Sequence, residues 1–286
     1  MFKAWMDYWR LARAGATLAR HGLIVPDEYR SRMPWPGRAA GALLRALPGV
    51  RRKGRRGQRF AAALEKLGPA YIKLGQLLAT RPDLLGVELT SDLAHLKDKL
   101  PPFPVAQAQR AVTDSFGEDA QQLFPPLGNA IAAASIAQVH RIETADGPRA
   151  VKLLRPGVEA RIAKELRAMM RGAKLLERRS AEGRRLRLIA FVETLAESMT
   201  RELDLRFEAG AASEFAEIIA DDGFVSAPAV DWARTSDKVL TTDWVEGAPL
   251  TDPAALDGVD RKALGERIVR GFLATALDHG FFHADL

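Results

Sequence analysis

The sequence predicts an α+β fold, in which helices come first, a small antiparallel sheet follows, and further helices surround and end it. Three observations carry this prediction. Apolar residues recur at helical spacing near both ends of the chain, short β-like segments with a hairpin signal lie in the middle, and Pro/Gly-rich breaks separate the two patterns. The 286 residues are 47% hydrophobic and 27% charged, which is typical of a folded globular protein.

The composition restricts the chemistry available to the chain. It contains no cysteine, which excludes disulfides, thiolate metal sites and cysteine nucleophiles. The net charge of +6 and the pI of about 9.7 favour contact with phosphates or anionic lipid, without choosing among nucleotide, nucleic acid and membrane. No apolar stretch reaches the roughly 18–20 residues needed to span a bilayer.

Residues 1–59 are predicted to form an amphipathic helix followed by a basic linker. Trp5 and Trp9 lie among Lys and Arg residues near the N-terminus, a pattern that suits a helix packed on its own protein or one lying on a membrane interface. The run from Arg51 to Gly57 is either a solvated linker or a contact for lipid phosphates. Nucleic acid is less favoured, because no aromatic residues interleave with these charges.

Residues 60–125 are predicted to be a helical extension. The expected helices are Phe60 to Thr80 with an interruption at Gly68-Pro69, Gly86 to Lys99, and one ending near Phe116. The Pro-rich segment from Pro101 to Pro104 separates the second helix from the third, because proline removes a backbone donor and disfavours helix continuation.

Residues 126–247 are predicted to hold the sheet, and residues 248–286 a helical end. The expected strands are Ile136 to Glu143, Arg149 to Leu154, Val225 to Val230 and Lys238 to Val245, the first two joined by a hairpin turn from Ala145 to Pro148. The expected helices are Val158 to Arg179, Leu186 to Ala220 and Arg261 to His279.

An alanine-rich segment at the first strand matches the spacing of a phosphate-covering loop. In the pattern G-x-G-x-x-G-x-V every glycine position here holds alanine, and Lys152 follows on the next strand in an A-V-K sequence. Alone, the alanines favour helix or core packing; with the strand lysine they favour a nucleotide site. The candidate contacts are Ala132, Ala133, Ala134, Ser135, Ala137 and Val139.

A strand lysine in such a site needs a carboxylate to orient it. Glu202, Asp204 and Glu208 are the candidates, on a segment that otherwise suits a solvated acidic helix face. On one continuous helix Glu202 and Glu208 lie roughly 240° apart, so only one of them is expected to meet Lys152.

Two further segments complete the candidate site. Trp244 and Val245 follow the last predicted strand, where backbone groups of a kinase hinge read the adenine edge. The chain ends in His283-Ala284-Asp285-Leu286, one change from the H-R-D-L catalytic loop, which makes Asp285 the candidate catalytic aspartate. Alone, either segment also suits an ordinary strand or a helix-terminal turn.

These residues resemble the UbiB atypical-kinase family. The resemblance rests on the K-x-G-Q motif of Lys73 and Gln76, the alanine-rich loop, the A-V-K strand followed by Arg155-Pro156-Gly157, the Glu-x-Asp at Glu202, and the terminal His-Ala-Asp. It covers roughly residues 60 to 286. It implies a protein-kinase-like N-lobe with an N-terminal helical extension and the start of a helical C-lobe.

The resemblance also implies a function. Members are associated with ATP and Mg²⁺, and with ATP hydrolysis or small-molecule phosphorylation that supports ubiquinone biosynthesis. It implies that Lys152 meets the α/β-phosphates, that Asp285 is catalytic, and that Lys73 and Gln76 lie across the cleft. The implied partners are a prenylated quinone precursor or other lipid and other ubiquinone-biosynthesis proteins, with the protein peripheral at the cytoplasmic side of a bacterial inner membrane. Some members are described as polyprenylphenol hydroxylases, but this sequence offers no flavin or iron site.

The sequence departs from the family pattern after the catalytic loop. The Asn and D-F-G that would bind Mg²⁺ do not occur in the 286 residues, so no metal ligands are predicted within them and the chain is expected to be C-terminally truncated and inactive alone. The alternative function is a non-catalytic nucleotide- or lipid-binding scaffold. The DNA downstream of the Leu286 codon discriminates between the two. A nucleic-acid-binding protein ranks third.

Overall fold

The structure is a computed structural model that describes residues 2–23, 54–94, 96, 100–220, 224–250 and 252–281. The first half of the basic run and the terminal His283-Ala284-Asp285 lie outside these residues, so the interpretations placed on them stay predictions. Two compact units are present. We call them the helical unit (Met1–Pro101, Ala133–Ile136 and Arg155–Arg201) and the sheet unit (Pro102–Ala132, Ala137–Leu154 and Glu202–Leu286).

Helices and one small sheet make up the regular structure, so the predicted α+β class is confirmed. In chain order the helices are α1 (Phe2–Arg20), α2 (Arg56–Leu67), α3 (Pro69–Ala79), α4 (Pro82–Leu85), α5 (Val87–Ala94), α6 (Val105–Phe116), α7 (Ala120–Leu123), α8 (Val158–Arg179), α9 (Ala181–Arg185), α10 (Leu188–Glu202), α11 (Leu205–Ile218) and α12 (Arg261–His279). The strands are β1 (Ala132–Ala133), β2 (Ala137–Thr144), β3 (Gly147–Leu154) and β4 (Val239–Asp243). Among the described residues, no helix has the length and apolar character needed to cross a membrane.

In the helical unit the short helices α2, α3 and α5 pack against one another, and the long helix α8 contacts α1, α3 and α9. The predicted interruption is confirmed, because Gly68 has a φ of 131° and separates α2 from α3. α1 contacts both α8 and α2, so the predicted docking of this helix on its own protein is confirmed, while contact of its outer face with a membrane stays a prediction. The unit's core contains the buried residues Ala14, Ala61, Leu64, Tyr71, Ile72, Leu93 and Leu96.

Part of the basic run belongs to this fold. Arg55 forms an ion pair with the buried carboxylate of Asp92, and its backbone N–H donates to Gln58 Oε1 over 3.1 Å at the start of α2. A solvated linker therefore does not describe Arg55, because its side chain neutralises a charge that the helical unit buries.

The sheet is four-stranded in the order β1-β2-β3-β4, and β3 pairs antiparallel with both β2 and β4. The predicted hairpin is confirmed: Thr144 pairs with Gly147 across a two-residue turn, and Gly147 has a φ of 108° that favours glycine. The sheet packs on α6 and α7 through a core of Ala108, Val112, Ala120, Phe124, Leu127, Ile142, Val151, Leu153 and Val239.

Two sequence predictions of elements were wrong. The single helix expected from Leu186 to Ala220 is broken into α10 and α11, because Asp204 has an extended backbone and caps the second helix. The strand expected from Val225 to Val230 forms only an isolated bridge between Val230 and Thr242. The helix expected from Gly86 to Lys99 is present as Val87–Ala94, and residues 95 and 97–99 of that prediction lie outside the described residues.

Two polar side chains of β2, Gln138 and His140, are almost completely buried and bonded to each other. Gln138 Oε1 accepts from the Phe103 N–H over 2.8 Å. His140 Nδ1 lies 2.9 Å from the Gly128 carbonyl oxygen, which can only accept, so Nδ1 carries the proton. His140 Nε2 lies 2.8 Å from Gln138 Nε2 and must therefore accept from the amide. This network ties the segments at Phe103 and Gly128 to the sheet and requires a neutral imidazole.

We expect this network to make stability depend on pH. Burial lowers the pKa of His140 below its ordinary value of 6.5, although its bond to Gly128 partly opposes this. Below pH 6.5 the imidazole therefore binds a proton more readily in the unfolded state than in the folded state. The free energy of unfolding should decrease as the pH falls through 6.5, by up to about 1.4 kcal/mol per pH unit.

Urea unfolding of the wild type and of His140→Asn at pH 7.5 and 5.5 measures this effect. The variant should be less stable at pH 7.5 but should lose less stability on acidification. An equal loss of stability in both proteins would show that His140 is not the titrating group. Because both proteins contain the same other histidines, the difference between their losses of stability reports on His140 alone.

Candidate functional site

The candidate site lies on one face of the sheet and begins with Lys152. Its neighbours Val151 and Leu153 are fully buried in the core under the sheet, so the alternation of a strand places Lys152 on the opposite face. The register pairs Lys152 with Val139 of β2 and with Leu240 of β4. Directly opposite residues share a face, so these three side chains form a row across the sheet.

The structure brings Lys152 together with Glu208. Lys152 Nζ donates to both carboxylate oxygens of Glu208, over 2.8 and 2.7 Å. The side chains are 31% and 50% exposed, so a ligand can reach the ammonium group from solvent. An ion pair this exposed contributes little to stability, so its consequence is the position that it gives to Lys152.

The start of α11 delivers Glu208 to this place. Leu205 and Ala209 are buried, and the Leu205 N–H donates to the Asp237 carbonyl oxygen over 2.8 Å, just before β4. Leu205, Glu208 and Ala209 lie three and four positions apart and therefore share one face of the helix. Packing of that face fixes the side from which Glu208 approaches β3.

Asp204 has a different task from Glu208. Its Oδ1 accepts from the Arg206 N–H over 3.1 Å and so caps α11, and both carboxylate oxygens receive bonds from the Arg206 guanidinium. The bonds from that guanidinium hold the pKa of Asp204 below its usual value. Glu202 is the last residue of α10. Because the helix is broken between Glu202 and Glu208, the separation of roughly 240° expected on one continuous helix does not apply to them.

The alanine-rich segment forms a strand, a loop and the start of the next strand. Ala132 and Ala133 are β1, and Ala137 begins β2. Arg155 holds the loop between them: its Nε donates to the Ala134 carbonyl oxygen over 2.8 Å, and its backbone N–H donates to the Ile136 carbonyl oxygen over 2.8 Å. Sequence reasoning quoted Arg155 only as part of a motif and missed this role.

The predicted hinge continues from β4 without regular structure. The Trp244 N–H donates to the Pro148 carbonyl oxygen over 3.1 Å, and its indole Nε1 donates to Glu246 over 2.6 Å. The Arg141 guanidinium lies 5.2 Å from the indole ring. Val245 is 63% exposed. Because the Trp244 N–H is already bonded, any adenine contact by this segment has to come from other backbone groups.

The K-x-G-Q motif lies on α3 in the helical unit. Its Gly75 is buried, and a Cβ there would meet Leu64 Cδ1 at 2.6 Å and would also collide with Leu96. The glycine therefore permits the close approach of α2 and α3. Lys73 and Gln76 are both half-buried on the same helix. Their orientation toward a nucleotide stays a prediction.

A buried carboxylate on α8 holds the start of α3. Glu165 Oε2 accepts from the Ala70 N–H over 3.0 Å, and Oε1 accepts from Arg161 Nε over 2.8 Å. A negative group at a helix N-terminus satisfies a free N–H and is favoured by the helix dipole. Burial and then the charge of Glu165 raise the pKa of Tyr71 to about 12. Sequence reasoning missed Glu165, whose spacing from Arg161 is typical of an exposed helix pair.

Within the part of the chain that the structure describes, neither a metal site nor a separate cavity extends this site. Among the described residues, no three His, Asp or Glu side chains are placed together to hold a metal ion. A cavity of about 730 Å³ lies in the sheet unit beside α12, and its lining contains none of the predicted site residues. Asp285 lies outside the residues that the structure describes.

Comparison with known proteins identifies the kind of chain that carries this site. Residues 95–286 match the family described as "ABC1 atypical kinase-like domain". The chain is 37% identical over 235 residues to the "Probable protein kinase UbiB" of Cellvibrio japonicus, covering 81% of this chain and 43% of the relative. It is 37% identical over 283 residues to the protein of the same name from Azotobacter vinelandii, covering 97% of this chain and 53% of the relative. It is 36% identical over 287 residues to that from Aeromonas hydrophila, covering 98% of this chain and 52% of the relative. The chain thus spans about half the length of these curated relatives.

We expect Gly68→Ala to destabilise the helical unit. Gly68 has a φ of 131°, which L-residues rarely adopt, and an added Cβ would overlap Glu165 Oε1. The substitution should lower the free energy of unfolding by roughly 2–4 kcal/mol, since it strains the backbone and displaces the carboxylate that caps α3.

The matched control is Gly15→Ala, at a helical glycine of the same unit with open space around it. That change should be neutral or stabilising by up to about 1 kcal/mol. Urea unfolding followed by circular dichroism measures both. Equal stabilities of the two variants would contradict the capping role of Glu165.

Proposed function

Because the chain belongs to the ABC1 atypical kinase-like family, we propose that it is the nucleotide-binding part of a kinase-like enzyme, an ATPase or small-molecule kinase, that supports ubiquinone biosynthesis. The observation that carries the proposal is the contact of Lys152 with Glu208 on the sheet face that also holds Val139. In kinases a strand lysine held by a helix carboxylate pairs with nucleotide phosphates.

In this proposal Lys152 binds the α/β-phosphates while Glu208 holds its ammonium group in place. The loop from Ala132 to Ala137 covers the phosphates, and its shape is set by Arg155, which holds two of its carbonyl oxygens. Val139, in register with Lys152, offers an apolar surface for the base. These residues suit ATP, because they combine a reachable cation with a loop closed by small side chains.

Mg²⁺ enters the proposal through the family alone. Among the described residues no three His, Asp or Glu side chains are grouped as they would be to hold the ion, so these residues do not fit it by themselves. Asp285 is proposed as the catalytic aspartate from the motif that contains it.

Lys73 and Gln76 are proposed to face the nucleotide. They lie three positions apart, so one face of α3 presents both, while Gly75 packs against α2. The acceptor proposed is a prenylated quinone precursor or another lipid. Contacts with other ubiquinone-biosynthesis proteins, and a peripheral position at the cytoplasmic side of a bacterial inner membrane, belong to the same proposal.

We expect loss of the Lys152 ammonium to weaken nucleotide binding. Lys152→Ala should raise the Kd for Mg-ATP by roughly tenfold or more, because it removes a charged contact to phosphate. Glu208→Gln should raise it by a smaller factor, since the lysine remains but is no longer held. Isothermal titration calorimetry measures both.

Two substitutions of the same kind serve as controls: Lys174→Ala, and Glu214→Gln at an exposed position of α11. Neither should change the Kd. If Lys152→Ala bound Mg-ATP as well as Lys174→Ala does, the nucleotide site would lie elsewhere. Binding without turnover in a catalytically complete protein would favour the scaffold alternative.

We expect Ala134→Gly to change the ratio of ATP to ADP affinity. Alanine narrows the backbone conformations that glycine would allow, and the Ala134 carbonyl is the one that the Arg155 side chain holds. Competition of ATP and ADP against a fluorescent nucleotide measures the ratio. Ala145→Gly, in the turn at the other end of β2, should leave it unchanged. An unchanged ratio in Ala134→Gly would count against contact of this loop with the phosphates.

A further inference from the structure

α1 docks on the helical unit with its polar and small residues inward and its large aromatic residues outward. Asp7, Ala14 and Thr17 are buried. Trp5 is 66% exposed, and Tyr8 and Trp9 are 55% and 54% exposed. This is the reverse of the usual arrangement, in which the apolar face of a surface helix covers the core.

Ion pairs with the buried Asp7 carboxylate fix this orientation. The Asp7 carboxylate accepts from Arg171 Nε over 3.1 Å and from Arg10 Nη1 over 3.3 Å, and Arg167 Nε lies 3.8 Å away. A buried carboxylate left without its cations is strongly unfavourable, so rotating α1 to bury its tryptophans would be opposed. Leu11 lies against Gly172, where an added Cβ would come within 3.1 Å of Leu11 Cδ1. The two helices therefore meet closely.

The exposed face combines aromatic rings with positive charge. Trp5, Tyr8 and Trp9 are three and four positions apart, so they form one patch. The Arg13 guanidinium lies 5.9 Å from the Trp9 ring, and that of Arg171 lies 5.1 Å from the Tyr8 ring. Asp7 is the only acidic residue in the sequence of α1, and the arginines around it neutralise its charge.

We propose that the aromatic face of α1 (Trp5, Tyr8 and Trp9, with Arg13) binds the surface of an anionic lipid bilayer, with the helix lying in the plane of the headgroups. Tryptophan and tyrosine rings suit the boundary between headgroups and acyl chains, and the arginines pair with lipid phosphates. A second copy of the chain fits this face less well, because a symmetric contact would bring its arginines against each other. The proposal rests on the peripheral membrane position included in the proposed function and assigns it a surface, but it does not depend on the nucleotide chemistry.

Vesicle flotation tests the proposal with the full chain. The vesicles are phosphatidylcholine alone, or phosphatidylcholine with one third phosphatidylglycerol. Wild type should float with the anionic vesicles and much less with the neutral ones. Trp5→Ala/Trp9→Ala should lower the partition coefficient by roughly tenfold or more, and Arg13→Gln by a smaller factor. Trp232→Ala removes a tryptophan that is also 54% exposed, in the sheet unit, and should bind as wild type does.

Circular dichroism and melting temperature show whether each variant is folded, and light scattering gives the mass in solution. Equal flotation of the double variant and Trp232→Ala would overturn the proposal. So would a wild-type dimer that the double variant converts to a monomer, because the aromatic face would then be a self-association surface. Failure to bind ATP would leave these outcomes unaffected, so the two proposals can fail separately.

Discussion

The pleat of β3 is the constraint on which the candidate site depends. Burying Val151 and Leu153 in the core under the sheet leaves Lys152 on the other face, in register with Val139 and Leu240. A shift of one residue would exchange the two faces, burying an ammonium group in an apolar core. The hydrophobic core therefore sets the register, the register places the lysine, and α11 brings Glu208 to meet it. The geometry of the site follows from packing that is far stronger than the exposed ion pair itself.

Buried polar groups perform the same positioning task in both units. His140 and Gln138 tie loop segments to the sheet, Glu165 caps α3, and Asp7 orients α1. A buried polar group left unpaired destabilises the fold, so each of these permits only the arrangement in which its partners are present. Apolar side chains of similar volume would fill the same space without selecting a direction. The residues that fix how these helices and loop segments are oriented are thus buried and polar. The residues that partners can reach are exposed, and they are apolar or charged.

Local signals in the sequence account for what could be predicted. The hairpin, the helix Val158–Arg179 and the helix Arg261–His279 were predicted because turn residues and periodicity mark them directly. The break at Asp204 carried a signal that went unused, since an aspartate with a glutamate in the first turn after it is typical of a helix N-terminus. The contacts of Glu165 with Ala70 and of Arg155 with Pro101 carried none, because these partners are distant in sequence and only the tertiary fold brings them together.

Arg155 changes how the alanine-rich loop should be understood. In a trans peptide the carbonyl and the following N–H point in opposite directions. Because Arg155 holds the carbonyl oxygens of Ala134 and Ile136, the N–H groups of Ser135 and Ala137 point away from it. In a glycine-rich loop the N–H groups can adopt this orientation and also change it, because the glycine backbone is flexible. Here the guanidinium of Arg155 holds one peptide plane and its backbone N–H holds the other, while alanine restricts the backbone more than glycine would. For the nucleotide site proposed above, this predicts a loop whose backbone changes little when phosphates bind.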